Sequence, residues 1–297
     1  MKITVIGSIN IDVLYHVPDI VKPGETIHSS TYDTLFGGKG ANQAVTIAQL
    51  GAEVEFVGCV GQDDFGNQAL KNLQDNSVST HHVQRSGDTG NALIQVSETG
   101  ENAIILVKGA NFHVTPESVQ DAEKLIMSSD TLLLQLEIPL VSVITALNLA
   151  EKNGIPVILN PAPAQALSES ILSSVDILTP NETELSTLTG MRINTDKDIE
   201  IACQSLLNKG VKVVVVTLGK KGAYFSDGKQ SGWVPARMVK VIDTTGAGDA
   251  FNGALAFAYC KKYSLQKSIE FAIMIAGYVV TQRGAQIQLP EELVPVM

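Results

Sequence analysis

Short apolar runs alternate with helical patterns along most of this sequence, and this alternation restricts the fold more than any other feature. The run KVVVVTL is too apolar and β-branched for a half-exposed strand, so it fits a central strand covered on both faces. The predicted buried strands are Ile3–Ile6, Val54–Val60, Thr131–Leu136, Pro156–Leu159, Ile177–Leu178 and Val211–Leu218. The predicted helices are Ala41–Leu50, Gly66–Asn76, Pro116–Met127, Leu140–Lys152, Glu182–Leu188, Asp196–Lys209, Ala247–Cys260 and Leu265–Gln282. Such alternation is typical of βαβ units, and we predict a three-layer α/β/α fold around a central, mostly parallel sheet.

Two segments interrupt this alternation. Residues 11–36 mix polar and apolar residues between turns at Pro18–Asp19 and Lys22–Pro23–Gly24, which predicts short strands of a separate small sheet. Residues 90–107 indicate a hairpin that turns at Thr99–Gly100–Glu101. A hairpin outside the main sheet suits a lid, although an ordinary edge hairpin has the same pattern. We therefore interpret 1–297 as one α/β domain whose two inserts form a small lid sheet.

The composition argues against several classes of function. The net charge is −10 and no basic stripe is present, so we expect no nucleic-acid partner. No run of 18 apolar residues occurs, and the start MKITVIGSIN does not resemble a signal peptide, so we expect a cytoplasmic protein without a membrane partner. The cysteines Cys59, Cys203 and Cys260 are far apart, so neither disulfides nor a zinc site are expected.

The stretch DTTGAGDAFNGALA at 243–256 places small residues where a helix is predicted to begin. Gly246, Ala247 and Gly248 leave the free N–H groups of the first helical turn uncovered, and such groups bind anions. Asp249 follows them, and a carboxylate beside an anion site suits a general base that takes a proton from an attacking hydroxyl. A plain helix cap has the same pattern.

A second glycine cluster, FGGKGANQAVTIAQLG at 36–51, also precedes a predicted helix. Gly37, Gly38 and Gly40 permit close backbone approach, and Lys39 and Asn42 add polar side chains. The cluster indicates a small-molecule site, with an ordinary turn as the alternative. Neither GxxxxGK[ST] nor GxGxxG after the first strand occurs, so the common phosphate-binding and dinucleotide motifs are absent.

Together the two clusters resemble the signature regions of the ribokinase-like sugar kinases, also called the phosphofructokinase B family. NPAPA at 160–164, TPNETE at 179–184 and TLGKKG at 217–222 extend the resemblance along essentially the whole chain. Within the family, GSINID, PGET and the closing RGAQ are most similar to members that phosphorylate ribose. The resemblance implies ATP-dependent phosphorylation of D-ribose at the C5 hydroxyl. A kinase for another small sugar such as deoxyribose, or a catalytically silent sugar sensor, remains the alternative.

The resemblance also implies roles for individual residues. Asp249 is the implied catalytic base, and the main chain of Gly246, Ala247 and Gly248 is the implied anion hole. Glu137 follows an apolar strand directly, where ligands bind in open α/β sheets, and an unpaired Glu is rarely buried. The residues implied to hold the sugar are Asn10, Asp12, Gly38, Lys39, Asn42 and Glu137, with Asp249 at the reacting hydroxyl.

For the nucleotide and ions, Asn181 and Glu184 match the family's NxxE motif, which holds Mg²⁺ largely through waters; an acidic helix start is the alternative. ATP is implied to bind at Thr217, Gly219, Gly222, Gly248 and Ile273. A monovalent cation, usually K⁺, is implied at Asp243, Thr245, Val279, Gln282, Gly284 and Gln288. Gln288 departs from the family, where Ser is common, and Ile273 replaces the His of some members. The lid sheets of two chains are implied to pack together as a homodimer.

Overall fold

The computed structural model describes residues 1–295, so positions 296 and 297 of the predicted domain lie outside the described residues. Its strands are β1 (Lys2–Ile6), β2 (Asn10–Val17), β3 (Thr31–Gly37), β4 (Glu53–Val60), β5 (Val78–Arg85), β6 (Gly90–Ser97), β7 (Asn102–Val107), β8 (Thr131–Leu134), β9 (Val157–Leu159), β10 (Ile177–Leu178), β11 (Val213–Thr217), β12 (Ala223–Ser226) and β13 (Ser231–Val234). Its helices are α1 (Lys39–Gln49), α2 (Asp64–Asp75), α3 (Pro116–Asp121), α4 (Glu123–Met127), α5 (Leu140–Asn153), α6 (Glu169–Ser173), α7 (Glu182–Thr189), α8 (Asp196–Asn208), α9 (Ala247–Cys260) and α10 (Leu265–Val279).

Nine strands form the main sheet, in the order β13-β12-β11-β10-β9-β8-β1-β4-β5. Neighbours from β11 to β5 run parallel, and β12 and β13 add an antiparallel edge. Val215 packs into the apolar cluster that contains α9 and α10, whereas Val214 and Val216 pack into the cluster that contains α5 and α8. Both faces of the sheet are therefore covered, and the predicted three-layer fold is confirmed.

A separate four-stranded sheet, called the lid sheet here, has the order β3-β2-β6-β7. β6 and β7 form the expected hairpin, and Gly100 in its turn has a φ of 86°. β2 pairs antiparallel with β3 and parallel with β6. Only residues 7–9 separate β1 of the main sheet from β2 of the lid sheet, so the chain passes directly from one sheet to the other.

The structure differs from the sequence-based prediction in several elements. The strand β5 (VSTHHVQR) was not predicted, because its mixed polarity belongs to an edge position with a single neighbour. The antiparallel edge strands β12 and β13 were not predicted either. The helix expected over 116–127 is divided at Ala122 into α3 and α4. Within residues 1–295, no helix has the length and apolar character needed to cross a membrane.

Candidate active site

Four predicted site residues meet where the two sheets join. Asn10 and Asp12 lie on β2, Lys39 begins α1, and Glu137 lies three residues beyond β8. Asp249 lies in the first turn of α9, and its carboxylate influences the ionisation of Lys39. The carboxyl ends of β1 and β8 thus bring together residues that are far apart in the sequence, as expected for an open α/β sheet.

Glu137 is paired within the protein. Its Oε2 accepts hydrogen bonds from Oγ of Ser8 (2.6 Å) and from the backbone N–H of Lys39 (3.2 Å). Its Oε1 lies 4.0 Å from Nζ of Lys39. The carboxylate therefore fixes the start of α1 against the loop after β1. Ser8 was not predicted, and a serine in GSINID carries no local signal that distinguishes it from a turn residue.

Lys39 lies among several carboxylates. Burial lowers the pKa of its ammonium group, but Asp249, Glu137 and Glu184 raise it more strongly in sum, so the net pKa is raised. Lys39 therefore stays charged and offsets part of the negative charge of the site.

The Asp12 carboxyl is half-buried and has a raised pKa of about 6. Burial is the main cause, the charge of Glu137 adds to it, and Lys39 opposes both. A Cβ atom at Gly37 would lie 2.6 Å from Oδ2 of Asp12, so the glycine makes room for this carboxyl. Asp12 can thus accept hydrogen bonds from hydroxyl groups when it is ionised.

The glycines at the start of α1 also serve the protein's own packing. At Gly38, where φ is 89°, a Cβ atom would lie 2.7 Å from the backbone N of Asn10. At Gly40 it would lie 2.7 Å from the backbone N of Ser8. The close backbone approach that these glycines permit is therefore made by another segment of the same chain, at Ser8 and Asn10.

Asn10 is buried, and its side chain is oriented by a residue that the sequence analysis missed. Oδ1 of Asn10 accepts a hydrogen bond of 2.7 Å from Nδ2 of Asn111. Asn111 lies in a short 3₁₀ helix after β7. It carries no motif, so only its position in the folded chain identifies it.

The Asp249 carboxylate is buried and held at both oxygens. Oδ2 accepts from Nδ2 of Asn42 (2.9 Å), and Oδ1 accepts from Nε2 of Gln43 (3.0 Å). Burial raises the pKa of Asp249, whereas Lys39 and the two amides oppose this rise. Asn42, expected to hold the sugar, also accepts a hydrogen bond from Nε2 of Gln286 (2.9 Å), so its amide is largely engaged by protein groups.

The N-terminus of α9 is open where an anion would bind. Gly246 has a φ of 74°, and a Cβ atom there would lie 2.6 Å from Cα of Ala285, so this position requires glycine. A Cβ atom at Gly248 would meet nothing within 4 Å. Within residues 1–295, the N–H groups of Gly248 and Asp249 make no hydrogen bond. The first turn of α9 therefore offers free donors beside the Asp249 carboxylate.

Asn181 and Glu184 form a capping box at the start of α7. The Asn181 side chain accepts from the N–H of Glu184, and Glu184 accepts from the N–H (2.8 Å) and Nδ2 (3.0 Å) of Asn181. Burial raises the pKa of Glu184, whereas the Asn181 N–H and Lys39 oppose this rise and Asp249 adds to it. Each carboxylate oxygen keeps a free lone pair, and oxygen ligands of this kind fit Mg²⁺.

Three of the predicted nucleotide residues, Thr217, Gly219 and Gly222, lie at or shortly after the end of β11. Thr217 pairs with Asn181 through an isolated bridge, which brings these two sites together. Gly219 and Gly222 have φ values of 54° and 102°. Ile273 is only 9% exposed and belongs to the main apolar cluster, so most of its side chain contacts other protein groups.

Asp243 joins the loop before α9 to the loop after α10. Its Oδ1 accepts from the N–H (2.9 Å) and Oγ1 (2.6 Å) of Thr245, and its Oδ2 accepts from the N–H of Gly284 (2.9 Å). Burial raises the pKa of Asp243, but these hydrogen bonds outweigh it and the net pKa is lowered. Of the other predicted cation residues, Val279 is buried in α10, Gln282 donates to Thr281, and Gln288 is exposed.

A carboxylate beside an open, anion-binding helix end provides what phosphoryl transfer to an alcohol requires. With polar and charged side chains on an adjoining lid sheet, the fold and the site fit the class of sugar kinases. The chain belongs to the family described as pfkB family carbohydrate kinase, which matches residues 1–292.

Individual relatives agree with this family. The ribokinase of Haemophilus influenzae is 43% identical over 97% of this chain and 95% of its own. The deoxyribokinase of Salmonella typhi is 38% identical over 98% of this chain and 96% of its own. The solved structure of Arabidopsis thaliana ribokinase complexed with ribose and ATP is 35% identical, with a TM-score of 0.94, and the match covers 100% of this chain and 99% of that one.

Proposed function

We propose that this sugar kinase transfers the terminal phosphoryl group of ATP to the C5 hydroxyl of D-ribose. The observation that carries the proposal is the buried Asp249 carboxylate beside the free N–H groups of α9. Similarity to the Haemophilus influenzae ribokinase and to the Arabidopsis thaliana complex with ribose and ATP supports ribose as the acceptor.

The sugar binds between the lid sheet and the start of α1. Asp12 accepts hydrogen bonds from vicinal hydroxyls, and Asn10 donates one through its amide nitrogen. Lys39 and Glu137, which lie 4.0 Å apart, supply a donor and an acceptor, and Gly38 and Asn42 complete this side of the pocket. Charged partners make these hydrogen bonds stronger than those between neutral groups.

Asp249 acts as the general base. As the C5 oxygen bonds to the terminal phosphorus, the bond to the bridging oxygen of ADP breaks and the hydroxyl proton passes to Asp249. The main chain of Gly246, Ala247 and Gly248 stabilises negative charge on the transferred group. Burial supports this role, because it favours protonation of the carboxylate once the alcohol has reacted.

ATP lies along the carboxyl end of β11. Thr217, Gly219 and Gly222 form its loop, Gly248 contacts the phosphates, and the exposed edge of Ile273 faces the adenine. Asn181 and Glu184 hold Mg²⁺ through waters, which suits an ion that keeps much of its hydration shell. Mg²⁺ supplies positive charge to the phosphates.

A monovalent cation, K⁺ in our proposal, binds beside the anion-binding turn. Asp243 is its charged ligand, and its lowered pKa supports an ionised carboxylate at this place. Carbonyl or side-chain oxygens of the remaining residues complete the set: Thr245, Val279, Gln282, Gly284 and Gln288. Turnover in K⁺ compared with turnover in a large organic cation tests this assignment.

The inserts 11–36 and 90–107 form a lid over the sugar, and the lid sheets of two chains pack together. The outer strand supports this interface, because Ile104, Ile105 and Leu106 are 58%, 61% and 54% exposed. Exposed apolar strands of this kind mark interaction surfaces. Closure of the lid excludes water, which would otherwise compete with the sugar for the phosphoryl group.

A coupled ADP-release assay with ribose, deoxyribose, fructose and adenosine tests the function. We expect the highest kcat/KM for ribose. The 38% identity to the Salmonella typhi deoxyribokinase makes deoxyribose the second candidate, and a preference for it would replace ribose. Sugar binding without turnover would instead identify a sensor and contradict the proposal.

A further inference from the structure

We propose that Gln43 is a positioning residue for Asp249: its side-chain amide fixes the direction in which the carboxylate meets the acceptor alcohol. This inference rests on the role of Asp249 given above. Gln43 lies on α1, and its side-chain amide contacts the Asp249 carboxylate, so in the proposed mechanism it acts on the base and not on the reacting atoms.

The orientation of the Gln43 amide follows from the backbone. The carbonyl of Thr179 accepts from Nδ2 of Asn160 (3.3 Å), which leaves Oδ1 of Asn160 facing Gln43. Nε2 of Gln43 donates to that oxygen (3.2 Å) and to Oδ1 of Asp249 (3.0 Å). Both amide hydrogens are therefore used, and a flipped amide would place oxygen against oxygen at Asn160 and at Asp249.

The oxygen of the Gln43 side-chain amide is also held by a hydrogen bond. Its Oε1 accepts from Nε2 of Gln135 (2.6 Å), and both glutamines are 0% exposed. Gln135 is confined in turn, because a side chain at Gly7 would collide with its Oε1. Gln43 thus has no room to rotate and no access to water that would replace a lost partner.

The two amides on α1 hold the carboxylate as a pair. Asn42 binds Oδ2 and Gln43 binds Oδ1, so the plane of the Asp249 carboxylate is fixed and one lone pair on each oxygen remains. An amide N–H donates and does not take up a proton, so it stabilises only the charged carboxylate. Gln43 therefore favours the form of Asp249 that accepts the alcohol proton.

The same hydrogen bonds join α1, α9 and the loops after β8 and β9, so a purely structural role predicts lower stability as well. The two roles differ in the pH profile of kcat. A structural role weakens the fold without changing the ionisation of the base, whereas a positioning role changes both the turnover and its acid limb.

The test compares Gln43→Met, which keeps the chain length but has no amide, with the wild-type chain. We expect kcat to fall about ten- to a hundredfold, as for a lost hydrogen bond to a charged group, while the KM for ribose stays near the wild-type value. We also expect the acid limb of the kcat profile to move to higher pH. An unchanged acid limb would overturn the proposal. A rise in the KM for ribose as large as the fall in kcat would also overturn it.

Gln49→Met is the matched control on the same helix. Gln49 also makes two side-chain hydrogen bonds, to Asn76 (3.1 Å) and from the N–H of Leu289 (2.9 Å), but lies away from Asp249. We expect it to lower the melting temperature and to leave kcat and its pH profile unchanged. A shift of the acid limb in this control equal to that of Gln43→Met would contradict the inference.

Gln135→Met is the second variant and decides the matter if Gln43→Met does not fold. It removes only the donor to Oε1 of Gln43, so we expect a smaller move of the acid limb in the same direction, and no move would overturn the inference. Asp249→Asn distinguishes an error in the role of Asp249 from an error in the role of Gln43. If that variant kept its turnover, the role of Asp249 as the base would fail; if it lost turnover while Gln43→Met kept it, only this inference would fail.

Discussion

Nδ2 of Asn111 donates a hydrogen bond of 2.7 Å to Oδ1 of Asn10, although 101 positions separate these residues in the chain. The backbone of Ile9 sets the direction of this bond, since its N–H donates to Oδ1 of Asn111 (2.8 Å) and its carbonyl accepts from Nδ2 (3.1 Å). Oδ1 of Asn10 is thus engaged, and its amide nitrogen is the group left for the proposed contact with a sugar hydroxyl.

Changing Asn111 to Asp therefore tests the sugar site without touching the sugar. Asn111→Asp keeps the acceptor for the N–H of Ile9 but loses the donor to the Ile9 carbonyl and to Oδ1 of Asn10, so the Asn10 amide loses its fixed orientation. We expect the KM for ribose to rise about tenfold or more, the level of one buried hydrogen bond, with a smaller change in the KM for ATP. Asn153→Asp, which loses the donor to the carbonyl of Leu149, should leave both values unchanged.

Replacement of the proposed base tests the chemistry. Asp249→Asn keeps the shape of the side chain but does not take a proton, so we expect kcat to fall by about 10²–10⁴-fold. Ribose binding, measured by calorimetry, should persist. Asp64→Asn is the control, because Asp64 is an exposed acid in the first turn of α2. Wild-type turnover in Asp249→Asn would show that another group accepts the proton.

Gly246 and Gly248, in the turn proposed to bind an anion, should differ in how alanine affects the free energy of unfolding and the turnover. Gly246→Ala forces a side chain against Ala285 at a positive φ, so we expect a loss of about 1–3 kcal/mol in the free energy of unfolding. Gly248→Ala meets nothing within 4 Å and suits a helix, so its stability should be retained. Its kcat should nevertheless fall, because the methyl group lies beside the N–H groups that we propose bind the phosphoryl group. Full activity in Gly248→Ala would argue against an anion at this turn.

The raised pKa of Asp12 makes stability depend on pH. The folded chain holds this proton up to about pH 6, whereas the unfolded chain releases it near 3.8. The stabilisation is therefore complete below 3.8 and is lost as the pH rises through about 6. Asp12→Asn should raise the free energy of unfolding at neutral pH by at most about 3 kcal/mol, and this gain should disappear in acid. Urea unfolding at several pH values measures it, and a gain independent of pH would contradict the assignment.

The exposed strand β7 allows a test of the dimer. Ile105→Asp places a charge in the centre of the proposed interface, and burial of an unpaired charge is unfavourable. We expect the variant to sediment as a monomer. Ile201→Asp on α8 is the control, since Ile201 is 47% exposed and far from the lid sheet in the chain. If both variants and the wild type sedimented alike, the lid sheet would not be the interface.

The sequence patterns predicted the central strands and the helices around them well, because burial on both faces leaves a continuous apolar run such as Val213–Val216. They did not predict β5, whose edge position removes that run. The turn proposed to bind an anion could be predicted because its signal is local, in three small residues and one acid, and that role stays a prediction. Gln43, Asn111 and Ser8 were missed, because each acts on a partner more than a hundred positions away.

The direct passage from β1 into β2 places the proposed sugar-binding residues and the proposed base on different parts of the molecule. Asn10 and Asp12 belong to the lid sheet, whereas Asp249 belongs to a helix packed on the main sheet. If these roles hold, substitutions in the lid sheet change which sugar is accepted and leave the residues proposed for phosphoryl transfer unaltered. With this separation, related kinases could accept different sugars while they keep the same residues for phosphoryl transfer.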